Sequence, residues 1–279
     1  EAVLTILPGA IIKFDAGRGL TVEAGGELGA WGELALPIVF TSIKDDSYGG
    51  DANGDGTATT PNPADWMSMR ISGIAALDHC VIAYAGDTES GSWAEDGAAV
   101  YAAAGAQVSL QNTTVAHNLF ESISSRAVGL TVSNCLIYDC ERAFSGLAGS
   151  ATLTNCVFDD ARWTLNLHGA EVALNNCSAT NCTEHGVFVC CGSEGKVSVN
   201  HCNVWNSSAF SGSLYFGIDD QTGSNGNISV DPAYRDRESG DYRLNYGSPL
   251  IDAADGDVAP ETDFYGAPSE ALRSFSSGV

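Results

Sequence analysis

The chain repeats itself with a period near 21 residues, and few folds can accommodate that period. Aligning "TVSNCLIYDC", "TLTNCVF" and "ALNNCSATNC" places Cys80, Thr113, Cys135, Cys156, Cys177 and Cys202 in one column, at intervals of 33, 22, 21, 21 and 25 residues. Three residues before each stand Leu77, Leu110, Val132, Leu153, Leu174 and Val199, and two before those stand Ala75, Val108, Leu130, Ala151, Val172 and Val197. Two residues after come Ile82, Val115, Ile137, Phe158, Ala179 and Val204. All three flanking columns are apolar. Directly before the Cys column stand His79, Asn112, Asn134, Asn155, Asn176 and His201, mostly a residue type that tolerates the left-handed conformation of a sharp bend.

Each copy therefore reads as a short alternating strand, a corner and a second short strand, with no helical spacing. One copy cannot bury its apolar side alone, so the copies stack as coils of a parallel solenoid about 4.8 Å apart. The Cys shares parity with the apolar residue two further on and points inward as a small hydrophobe, while the Asn builds an amide ladder at the corner. The expected fold is all-β, a solenoid of about eight coils forming a single domain over 1–279, with an acidic loop inserted at 43–66 and an irregular C-terminal coil and cap over 212–279.

With 12 Lys plus Arg and a net charge of −23, the chain is a poor partner for nucleic acid, anionic membranes or polyanionic glycans. No apolar run approaches the roughly 20 residues of a membrane span. Among the nine cysteines, Cys135 with Cys156 and Cys177 with Cys202 would lie within disulfide range on adjacent coils, so oxidised pairs are allowed but not required. No paired C-x-x-C spacing marks a zinc knuckle, and "VCCG" at 189–192 reads as two adjacent thiols or a strained vicinal disulfide.

"LTILPGAIIKF", "GLTVEAGGEL", "PIVFTSIKDD", "GGDANGDG" and "ADW" follow one another, and "DPAYRDRESGDYRLNYGSPLIDAAD" closes the chain. In this order they resemble bacterial secreted right-handed parallel β-helix proteins, a broad group that includes surface-anchored and pectate-lyase-like members. The resemblance implies a right-handed coil and an extracellular, secreted or cell-surface setting. It implies little about activity.

The insertion "KDDSYGGDANGDGTATTPNPADW" contains D-x-N-x-D-G, with Asp51, Asn53 and Asp55 alternating in a Gly-rich turn. Hard oxygen ligands at alternating positions suit structural Ca²⁺, with Asp45 and Asp46 completing the shell from the other arm; the position that would carry the bidentate Glu is Asn62, and a solvated acidic turn is the simpler alternative. Four residues after the Cys column stand Tyr84, His117, Asp139, Asp160, Asn181 and Asn206, whose polarity places them at the next corner. There Asp139 and Asp160 would face outward one coil apart with Arg142 and Arg162 nearby, the spacing of a retaining glycosidase pair with an Arg that could serve as a lyase base; a polar ladder on a solvated face is the favoured reading, since such ladders are ordinary in stacked coils. Tyr101, Tyr138, Trp163, Trp205 and Tyr215 are candidates for sugar stacking or for packing, and His117, His168 and His185 have no evident nucleophile. Of the glycosylation sequons, Asn181, Asn206 and Asn227 are better candidates than the corner residues Asn112 and Asn176.

Two functions fit this sequence, and with only 12 cationic residues and no basic subsite it favours the first. One is a secreted, non-catalytic structural or adhesive protein, self-assembling head to tail through its first coil and its polar tail at 268–279. The other is a Ca²⁺-dependent polysaccharide lyase or glycoside hydrolase acting on an extracellular glycan.

Overall fold

The computed structural model of the chain describes residues 2–87, 97–206 and 212–267. Its strands form eight coils of three rows each. The first row is a continuous parallel sheet running Val3–Ile6, Glu27–Trp31, Ile74–Asp78, Gln107–Gln111, Val128–Ser133, Ser150–Thr154, Glu171–Asn175 and Val197–Asn200. The second and third rows join into one sheet because two strands, Leu136–Gly146 and Val157–His168, run through the bend between them.

The apolar columns are the stacked interior. Leu110 pairs with Leu77 and Val132, and the column continues through Leu153 and Leu174 to Val199. Ile82, Val115, Ile137, Phe158, Ala179 and Val204 form the second row's inner column in unbroken register. A third inner column, Leu20, Met69, Val100, Ile123, Phe144, Leu165, Val187 and Tyr215, closes the cross-section. All three columns feed one contiguous core, where each large side chain contributes about 1.5–3 kcal/mol by leaving water.

The first expected corner is left-handed in all six copies of the repeat, and the second in five of them. The Asn column has φ between 48° and 55°, and in the next corner Tyr84, His117, Asp139, Asp160 and Asn181 have φ between 49° and 65°. The amide ladder runs from Asn134 to Asn112 and on to Asp78; Asn134 and Asn176 also bond backbone groups of Thr262 and Asp255.

The Cys column is buried, and all nine cysteines are free thiols. Each column thiol donates to the carbonyl two residues back, as in Cys135 to Ser133 and Cys202 to Asn200, both at 3.2 Å. Thr113 does the same to Gln111 with its hydroxyl at 2.7 Å, so Cys and Thr are alternative second donors to a carbonyl that already accepts a backbone N–H from the preceding coil, as Gln111 accepts from His79.

After Asn227 seals the last coil, the chain returns along the flank of the second row. A hairpin of Tyr234–Asp236 and Asp241–Leu244 lies over it. Its anchor is Asp159, fully buried, which accepts from Thr180 at 2.6 Å, Asn181 at 2.7 Å, Arg237 at 3.1 Å and Tyr242 at 3.2 Å. The irregular C-terminal segment is thus a lateral strap across several coils. The tail at 268–279, on which head-to-tail assembly was to rest, lies outside the described residues.

Candidate functional site

The second corner brings Asp139 and Asp160 to the surface on adjacent coils. Tyr138 is in register with Asp159, so the two following aspartates repeat at the coil spacing of about 4.8 Å. Their surroundings differ. His117 Nδ1 lies 2.6 Å from Asp139 Oδ2, and this hydrogen bond holds the Asp139 carboxyl below the usual range. Asp160 is pushed above it, first by burial and then by the charges of Asp159 and Asp139, with Arg237 opposing.

Aromatic rings gather around His117 on the Asp139 side of the pair. Tyr84 stacks on His117, and Tyr138 meets His117 edge-on and packs against Tyr242 of the strap. Burial raises the proton affinity of both Tyr84 and Tyr138, and Tyr48 from the inserted loop adds to it, with Asp45 acting on Tyr84 as well. The loop is rooted beside them by Asp65, whose N–H donates to the Tyr84 carbonyl and whose carboxylate takes Lys44 at 2.6 Å. The inserted loop therefore lies on the Asp139 side of the pair, while the strap, through Arg237 and Tyr242, borders Asp160 and Tyr138.

The two arginines expected beside the pair are elsewhere. Arg142 is 1% exposed, although its charge suggested an outer position, and it sits on the outward face of the third row. There Glu121, Arg142, Trp163 and His185 are register neighbours. Arg142 binds Glu121 at 2.8 Å and Glu141 at 3.0 Å, while Arg162 binds Glu141 at 3.3 Å and Glu184 at 2.8 Å. Both guanidinium groups lie over the Trp163 ring, whose other face stacks on Phe188, which in turn stacks on Phe216. Burial raises the Glu121 carboxyl against the pull of Arg142; Glu184 is lowered by hydrogen bonds from Trp163 and Arg162. Arg142 and Arg162 are thus partners of glutamates, because each finds a carboxylate one coil away in its own column or the next. Glu121, Glu141 and Glu184 were not singled out from sequence; the signal was Glu121, Arg142 and Trp163 recurring at the repeat period.

A family model described as "right handed beta helix region" matches residues 72–231, more than half of the chain. The chain belongs to the right-handed β-helix family. No curated protein sequence matches it. Among the described residues of this β-helix no helix is long and apolar enough to cross a membrane.

In the β-helix's inserted loop, the D-x-N-x-D-G turn is curled on itself. Asp51 accepts from the N–H groups of Gly54, Asp55 and Gly56, which hold its carboxyl below the usual range. Asp55 Oδ2 takes Thr59 and Asn53, leaving Oδ1 buried without a partner. That orphaned oxygen fits a bound cation, with Asp51 and Asn53 beside it. Asp45 does not join them: it is buried, accepting from Thr41 at 2.7 Å and from Ser47. Among the described residues, Asp45, Asp46, Asp51 and Asp55 do not converge as a three-acid cluster.

The sequons are not equivalent either. Asn227 is 1% exposed, donating to Val199 and accepting from Cys202, so in the folded chain it is sealed away from modification. Asn206 donates to the Cys182 carbonyl and Asn181 to Asp159, both part-buried.

Proposed function

We propose that this β-helix hydrolyses a neutral extracellular glycan at Asp139 and Asp160. The observation that carries the reading is the opposite displacement of two carboxyl groups one coil apart: Asp139 toward the ionised form and Asp160 toward the protonated form. Asp160 gives its proton to the glycosidic oxygen while Asp139 attacks the anomeric carbon, and the C–O bond breaks as a glycosyl ester forms on Asp139. Water, giving a proton to Asp160, then cleaves the ester. The backbone spacing of about 4.8 Å between the two residues is closer to the roughly 5–5.5 Å carboxyl separation of retaining enzymes than to the wider gap of inverting ones, which favours this retaining course.

Neutral substrates follow from charge, since a net −23 repels polyanions. Tyr48, Tyr84 and Tyr138 supply apolar faces with hydroxyl tips, suited to sugar rings. Ca²⁺ held by Asp51, Asn53 and Asp55 would stiffen the loop that carries Tyr48, as a structural clip.

The test is release of reducing ends from xylan, β-glucan, galactan and mannan. Asp139→Asn and Asp160→Asn should each lower kcat by about 10²-fold or more with unchanged melting. His117→Ala should move the acid limb of the pH profile upward, because the hydrogen bond that lowers Asp139 is gone. Activity retained in both Asn variants overturns the reading.

A further inference from the structure

Three potential ligands converge at the edge of the third row, away from the aspartate pair. His168 ends the strand Val157–His168, and Cys190 ends His185–Cys190 directly beside it in register. Adjacent residues on a strand point to opposite faces, so Cys191 would ordinarily be turned away from Cys190. Instead Cys191 has φ 59°, a left-handed conformation uncommon for a residue other than Gly, Asn or Asp. The ligand atoms of His168, Cys190 and Cys191 consequently all lie within 4.8 Å of one another.

His168 is oriented for the purpose. Asn166, buried on the same outward face, places Oδ1 2.8 Å from Nε2, and its own amide donates to Ser145 at 3.4 Å. The Asn166 oxygen can only accept, so Nε2 carries the proton and Nδ1 is the unprotonated nitrogen; Cys190 Sγ lies beside the ring, 3.2 Å from Nδ1 and 3.8 Å from Nε2. A second hydrogen bond that fixes the tautomer is the usual companion of a metal-ligating imidazole. The six-member Thr/Cys column in the core shows the contrast: its thiols are spent on backbone carbonyls inside the coil, whereas Cys190 and Cys191 are not in the core.

We propose that His168, Cys190 and Cys191 bind one soft d¹⁰ cation, Cu(I) or Zn²⁺, through two thiolates and one imidazole nitrogen. Thiolate and imidazole ligands select such ions over Ca²⁺ or Mg²⁺. Each thiol loses its proton to solvent as its sulfur bonds the metal. Cu(I) would be held by the three protein ligands alone, and Zn²⁺ would add a water as its fourth.

The test uses the whole chain, fully reduced under anaerobic conditions, titrated with Cu(I) and separately with Zn²⁺ against competing chelators, with X-ray absorption on the product. One equivalent of either ion, with two sulfur and one nitrogen scatterers, supports the site and identifies its metal. Cys191→Ser, an exposed position whose variant leaves the core intact, should abolish that equivalent. Asn166→Ala should weaken binding by about 10–100-fold without removing a ligand. Absence of binding by both ions, or the same stoichiometry in Cys191→Ser and His168→Ala, overturns the proposal.

Discussion

Arg142 Nη1 lies 2.8 Å from Glu121 Oε1, an ion pair formed between adjacent coils and almost wholly withdrawn from water. Removing one partner strands the other as a buried charge, so Arg142→Ala should destabilise the fold by about 3–5 kcal/mol, while Arg142→Met combined with Glu121→Leu should recover most of the loss. Glu121 binds its proton more tightly in the folded chain than in the unfolded one. Its contribution is therefore present at low pH and is lost as pH rises from the ordinary glutamate value, about 4.3, through its raised folded value. Denaturant melts across that window should give a stability difference, wild type minus Glu121→Gln, that falls with rising pH, since the other shifted carboxyls contribute equally to both.

Cys156 occupies a place that Thr113 fills in another coil, with the same donation to the carbonyl two residues back. Cys156→Thr should change stability by less than about 1.5 kcal/mol, and Cys156→Asp should cost several kcal/mol, by chemical denaturation.

The core side of these coils was legible because period-two parity survives from Ala75 to Leu77 and from Cys80 to Ile82, with a single slip at the corner residue, His79 here and Asn in most copies. The third row was not. Ser122 and Ile123 are consecutive and both fully buried, so the alternation slips again at a bend that has no Asn to announce it. The insertion at 43–66 further displaces the early copies from register. Asp139 and Asp160 were recognisable from their place four residues after the Cys column; the distance of Arg142 from them was not, because its burial depends on Glu121 and Trp163 in neighbouring coils. His168 and Cys190 are 22 residues apart in sequence and meet only through coil register.

Asp159 is the point where the strap is fastened, through Arg237 and Tyr242. Asp159→Ala should cost about 3 kcal/mol, chiefly by removing the buried acceptor of Thr180, Asn181 and Tyr242, with the ion pair to the part-exposed Arg237 discounted for solvent screening. Limited proteolysis should then cut within 234–267 well before the coils.

Ca²⁺ at one hundred times its dissociation constant should stabilise the chain by about 2.7 kcal/mol, and Asp55→Asn should erase that difference. Thermal melts with and without chelator measure it; equal melting temperatures contradict the clip.

Trapping the glycosyl ester tests the central claim most directly. The chain is incubated with activated 2-deoxy-2-fluoro glycosides of glucose, xylose, galactose and mannose, and its peptides are read by mass spectrometry. The account predicts one sugar adduct on Asp139, absent from Asp139→Asn. No adduct from any of the four, alongside glycan cleavage by an inverting course, or an adduct on Glu121, Glu141 or Glu184, would contradict it.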